Sequence, residues 1–143
     1  IASCLVGSEM CIRDRYNIKG KDVVAGNCKY YLNDLSFKNF LYPGFSYGVG
    51  CLLENAVYLE LRQSGYSVYV CAICDKEVDF VAMKDDRVIY LQTTYMLETE
   101  QTIEREYSPL LSIKDNYEKY VVSLDEIQLP SKEGMTYSGL EFE

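Results

Sequence analysis

The clearest regularity along the chain lies between Gly50 and Gln63. In GCLLENAVYLELRQ, apolar residues recur at the helical period, with Leu53, Val57 and Leu61 on one stripe and Gly65 as a C-terminal stop. Glu54 lies next to that stripe, in line with Tyr58 and Leu61, whereas Glu60 and Arg62 point to water. After Gly65 the period drops to two. Tyr66–Cys71 (YSVYVC) reads as a strand with Val68 and Val70 on one face. Glu77–Met83 (EVDFVAM) predicts a second strand, placing Val78, Phe80 and Ala82 on one face and Glu77 and Asp79 on the other. The turn KDDR leads into a third, Val88–Thr94. If Asp85-Asp86 is a two-residue hairpin loop, cross-strand partners have positions summing to 171, which sets Asp79 opposite Gln92.

The flanks are less regular. Tyr16–Lys29 carries two glycine turn signals and reads as a short hairpin or lead-in segment. Asp34 can cap a short helix over Leu35, Phe37, Asn39 and Phe40 that ends at Pro43-Gly44. Residues 98–112 predict a helical crossover, interrupted or kinked at Pro109. Tyr117–Asp125 then supplies a fourth strand, parallel to the third because a helix separates them, and Gly134–Leu140 reads as a short closing strand or loop. The order is helix, three strands, helix, strand: an α/β domain with a mixed sheet.

Composition narrows what such a domain does. The chain has 143 residues, 48% of them hydrophobic, enough for one core and too few for two. A net charge of −8 opposes binding to phosphate backbones, and the complete absence of histidine removes the commonest general base and zinc ligand. No apolar run is long enough to span a membrane, and no secretory leader is evident, so a cytoplasmic protein with reduced thiols is expected. Cys71-Ala-Ile-Cys74 has redox and zinc spacing but lacks a second pair, and reads as accidental. No GxxxxGK[ST] motif is present, so ATP binding within this chain is not expected. Glu98, Glu100, Glu104 and Glu106 read as a solvated acidic face. Cys4–Arg15 (CLVGSEMCIRDR) resembles a translated sequencing adaptor, the alternative being an ordinary flexible terminus. Residues 1–14 are therefore set apart, with an open reading frame expected to continue upstream of Tyr16.

A helix glutamate, a strand-two aspartate and a strand-three pair are the parts of the restriction-endonuclease-like (PD-(D/E)XK) fold. Glu54 and Asp79 fit the first two positions, and Gln92-Thr93-Thr94 stands where an active enzyme has Glu-X-Lys. Gln92 offers no anionic oxygen to Mg²⁺, and Thr94 brings no positive charge to a phosphate or hydroxide. Glu54, Asp79, Gln92 and Thr94 are thus candidates for a degenerate site, with Glu54 and Asp79 as weak metal ligands. The competing structural expectation is that Glu54 bonds within the helix–sheet seam and that Asp79 accepts from Gln92 and Thr94.

The segments RYNIKGK (15–21), KYYLNDLSFKN (29–39), LLENAVYLELRQSGYSVYV (52–70), EVDFVA (77–82), IYLQTTY (89–95), ERE (104–106), IKDNYEKYVVSLD (113–125) and EGMTYSGLEFE (133–143) together resemble the C-terminal domain of prokaryotic AAA-type ATPases of uncharacterised function. The resemblance implies an N-terminal P-loop ATPase domain that binds ATP and Mg²⁺, then a winged-helix-like linker whose end is residues 15–28, then a nuclease-like domain over 29–143. It implies no cofactor in this chain and makes the ATPase domain its first partner, with a protein or DNA partner open. The function expected is non-catalytic binding or regulation, and the alternative is a residual Mg²⁺-dependent DNA endonuclease.

Overall fold

The computed structural model describes residues 10–17, 22–36, 44, 48–73, 76–97, 99–125 and 136–139. Among the described residues, seven strands form one mixed sheet: β1 Met10–Asn17, β2 Asp22–Leu32, β3 Ser67–Ile73, β4 Lys76–Lys84, β5 Arg87–Thr94, β6 Glu118–Ser123 and β7 Thr136–Gly139, in the order β2-β1-β3-β4-β5-β6-β7. Helix α1 (Val49–Gln63) packs on one face and α2 (Glu100–Leu111) on the other. The expected succession of helix, three strands, helix and strand is present, inside a wider sheet.

Helix α1 buries Leu53, Val57 and Leu61 as its period requires, and Tyr58 beside them. It ends where Gly65 takes φ +86°. There the Ser64, Gly65 and Tyr66 amides donate to the carbonyls of Glu60, Arg62 and Leu61. The β4–β5 hairpin keeps the expected register from Lys84↔Arg87 to Phe80↔Leu91, with Asp85 at φ 52° in the turn. Asp tolerates that left-handed conformation better than most residues. Strand β6 runs parallel to β5, and β7 parallel to β6. Thr99 caps α2 by accepting from the Thr102 amide. The expected interruption at Pro109 is absent: the helix runs through it to Leu111. Pro109 has no amide to donate to the Arg105 carbonyl and its ring crowds that group, so the last turn is kept at a local cost.

Two irregularities position the site. Between β3 and β4 the register changes from Tyr69↔Val81 to Cys71↔Val78, so one residue of β3 opposes both Asp79 and Phe80. This bulge alters the side-chain phase of β4. Phe80 and Ala82 pack toward α1, as do Glu77 and Asp79, while Val78 joins Val81 on the α2 face. The expected separation of Glu77 and Asp79 from Phe80 is thereby corrected. In the β1–β2 ribbon, Arg13↔Lys29 is followed by Arg15↔Val24, so one residue of β1 faces four of β2. Strand β1 pairs with β3 only over Arg15–Asn17; the end beyond this kink turns over the α1 face, where Tyr31 stacks on Tyr58 at 4.4 Å between ring centroids. The domain boundaries expected at 14/15 and 28/29 fall within the spans of β1 and β2, at the register shift between Arg13↔Lys29 and Arg15↔Val24. Of the short helix expected after Asp34, residues 35–36 are helical, and Phe37, Asn39, Phe40 and Pro43 lie outside the described residues.

Candidate functional site: a lysine among three carboxylates

The kinked end of β2 brings Lys29 and Tyr31 to the α1 face, with Tyr30 between them turned outward. Asn55 holds this end in place. Buried on α1, its side chain accepts from the Leu32 amide and donates to the Leu32 carbonyl, both at 2.8 Å. A side-chain amide here extends the strand's hydrogen bonding onto the helix, leaving neither backbone group unpaired.

Lys29 Nζ lies 3.0 Å from Glu54 Oε1, 3.0 Å from Glu77 Oε1 and 3.3 Å from Asp79 Oδ1. Tyr31 Oη donates to Glu54 Oε1 at 2.7 Å. Asp79 Oδ2 accepts from both the Thr93 amide and the Thr93 hydroxyl at 2.8 Å. The carboxylates are graded in depth: the Asp79 side chain is 12% exposed, Glu54 20% and Glu77 42%, so solvent reaches the cluster past Glu77.

The electrostatics are asymmetric because one cation serves three anions. Burial alone would lower the Lys29 pKa, but the charges of Asp79 and Glu54 and the bonds to Glu77 and Glu54 outweigh it, so the ammonium is held more firmly than usual. Asp79 moves the other way for a carboxylate paired to a lysine. Its burial, then the nearby Glu54 charge, raise its pKa more than Lys29 and the two Thr93 bonds lower it. Burial and then the Glu54 charge also push the Tyr31 phenol up, so it remains a donor.

Glu54 and Asp79 are thus brought together as expected, and Glu54 does bond within the helix–sheet seam. The strand-three positions fall elsewhere. Gln92 Oε1 accepts from the Asp79 amide at 3.3 Å, but its Nε2 donates to Glu106 Oε2 at 3.0 Å, on the α2 side. The residue of β5 that meets the Asp79 carboxylate is Thr93; the expected acceptance from Gln92 and Thr94 side chains is corrected on this point. Thr94 is buried, one strand position out of phase with Thr93. Glu106, expected on a solvated face, is buried between Gln92 and the Arg105 guanidinium, which donates to Oε1 at 2.7 and 3.0 Å. Cys71 packs in the apolar core of the α2 face, and Cys74 lies outside the described residues.

Lys29, Tyr31 and Asn55 are the site residues that motif reasoning misses. Their one sequence signal is the alternation of Lys29 and Tyr31 around Tyr30, which places lysine and a core tyrosine on the same strand face.

Among known proteins, the chain is similar to an uncharacterized protein of Haemophilus influenzae, with 36% identity over 109 residues. The match covers 76% of this chain and 26% of the relative, so it spans about a quarter of that protein's length. No family model matches the chain, and no solved structure matches it. Among the described residues, no helix is long and apolar enough to cross a membrane.

Proposed function

We propose that this chain is the non-catalytic, nuclease-like C-terminal binding or regulatory domain of a longer, cytoplasmic AAA-type ATPase. The observation that carries the reading is the fate of Gln92. The side chain at the position of the third metal ligand is neutral and spends its amide on Glu106 across the sheet. Metal-assisted phosphodiester hydrolysis needs anionic oxygen ligands and a cation beside the phosphate. Glu54 and Asp79 remain, but Thr94 carries no charge and sits out of phase with the carboxylate cluster.

Two further observations support the reading. The Haemophilus relative extends well beyond the matched 26%, which leaves room for an ATPase domain that would bind ATP and Mg²⁺. Among the described residues, the cluster around Lys29 holds three carboxylates against one ammonium, in a chain of net charge −8. Such a face repels phosphate and favours a protein partner presenting basic side chains over DNA.

The test is plasmid nicking by the purified chain with Mg²⁺ or Mn²⁺, beside Asp79→Ala. No nicking above the variant's background is expected. Metal-dependent nicking that Asp79→Ala abolishes would establish the alternative, a residual endonuclease working through Glu54 and Asp79.

A further inference from the structure

We propose that Lys29 is the resident cation of this face: its ammonium occupies the centre that a divalent metal would need among Glu54, Glu77 and Asp79, and the face works without metal. The inference rests on the non-catalytic reading above and deepens it, from a site that has lost ligands to a site whose cation is built into the chain.

Distances make the first argument. The three carboxylate oxygens stand 3.0, 3.0 and 3.3 Å from Nζ. These are hydrogen-bonding separations, far beyond the roughly 2.0–2.1 Å of Mg²⁺–oxygen bonds and also outside the roughly 2.3–2.6 Å of Ca²⁺. Three acceptors around one nitrogen also match the three protons of an ammonium group. Among the described residues, no group of three or more cysteine, aspartate or glutamate side chains is arranged to hold a metal ion. The residues present therefore do not fit the metal that a nuclease fold implies.

The second argument is that Lys29 is placed rather than merely attracted. An exposed lysine on a long stem wins little from a surface carboxylate, because ordering it costs entropy. Here the strand carrying Lys29 is held on both sides. The Leu32–Asn55 pair fixes the end of β2 to α1, and Tyr31 is locked between the Tyr58 ring and the Phe80 ring, with centroids at 4.4 and 5.5 Å. Tyr31 also spends its hydroxyl on the same Glu54 oxygen that Lys29 binds. The other Asp79 oxygen is committed to Thr93. A positive charge already stands at the centre to repel an incoming cation.

The experiment is calorimetric titration of the full chain with Ca²⁺ and with Mn²⁺ at neutral pH, comparing wild type, Lys29→Ala and Lys29→Ala/Asp79→Asn. Wild type is expected to show no saturable site in the micromolar range. Lys29→Ala, folded by circular dichroism, should bind one ion at least tenfold more tightly than wild type, and the double variant should lose that gain. One-site binding by wild type as tight as by Lys29→Ala, or no gain in the folded variant, would overturn the proposal. If Lys29→Ala does not fold, Lys29→Met takes its place in the same titration, and the same gain or its absence decides. Metal binding by wild type without nicking would sink this inference alone; metal-dependent nicking would sink the reading beneath it as well.

Discussion

The two faces of the sheet each bury carboxylates, and they handle them differently. On the α2 face, each carboxylate has its own partners: Glu106 is answered by the neutral amide of Gln92 and by its neighbour Arg105, and Asp115 by the Tyr90 hydroxyl and Lys119. On the α1 face, Glu54, Glu77 and Asp79 crowd around Lys29 at the rim of an aromatic cluster of Tyr31, Tyr58 and Phe80. The first arrangement satisfies a charge locally and leaves a core that only has to pack. The second concentrates charge of one sign in excess of its counterion, which costs stability. That difference is the physical reason to place function on the α1 face and to treat the α2 face as structural.

The comparison is broken hardest through the aromatic cluster. Tyr58 is fully buried and touches both Tyr31 and Phe80. Tyr58→Ala is expected to lose about 4 kcal/mol of stability, in the range for large aromatic truncations. Leu110→Ala, equally buried on the α2 face, should lose about 3 kcal/mol by the same cavity argument. The faces separate in a second readout. Tyr58→Ala removes the support under Tyr31 and should return the Lys29 side-chain resonances toward those of a free lysine, whereas Leu110→Ala should leave them in place. Urea unfolding gives the energies and carbon-detected NMR the lysine environment; an unmoved Lys29 in Tyr58→Ala would show that the aromatic cluster does not position it.

Much of the α1 face was legible in sequence, up to a definable point. The stripe Leu53, Val57, Leu61 required a helix, and the two-residue turn at Asp85-Asp86 set the β4–β5 register, because both rest on local periodicity. The bulge opposite Asp79 was not legible: an extra residue in one strand leaves no mark in a pattern of alternating positions, yet it re-aims every side chain beyond it. Lys29 was hidden for another reason. It lies 25 residues from Glu54 and 50 from Asp79, and only the kink in β2 brings it near. Glu106 read as solvated because its acidic neighbours Glu100 and Glu104 are exposed; its burial depends on a partner, Gln92, on another element.

A sharper cut comes from restoring the missing ligand. Gln92→Glu supplies the carboxylate of a nuclease motif, but at a position whose side chain already points at Glu106, 3.0 Å away. Two buried carboxylates would then face each other where a donor and an acceptor met before. A loss of about 2 kcal/mol at pH 7 is expected, the scale of a buried hydrogen bond replaced by an unsatisfied charge. No metal-dependent nicking should appear. Because protonating either carboxyl restores a donor, the deficit should shrink as pH falls. A variant as stable as wild type that nicks plasmid DNA would mean that residue 92 can turn to the α1 face, and the assignment of roles to the two faces would be wrong.

The smallest effect is the most particular to the carboxylate cluster. Asp79 carries a raised pKa because burial and Glu54 disfavour its charge more than Lys29 and Thr93 favour it. A carboxyl whose folded pKa lies above its unfolded value of about 3.8 binds its proton more tightly in the folded state. Its stabilising contribution is full below that value and is lost as pH rises through the folded pKa. At pH 7 the ionised group is therefore a cost. Asp79→Asn keeps an acceptor for the Thr93 amide and hydroxyl, and it removes the charge. The variant should be as stable as wild type at pH 7 or better by up to about 1 kcal/mol, a modest figure because Lys29 then has one carboxylate fewer. Below pH 4 the advantage should vanish or reverse, since wild type then carries the neutral acid and keeps its own bond geometry. Unfolding both proteins across pH 3 to 7 gives the difference directly. A deficit in Asp79→Asn that grows toward neutral pH would mean that the Lys29 pairing dominates Asp79, and that the three carboxylates share their cation more evenly than the depth of Asp79 implies.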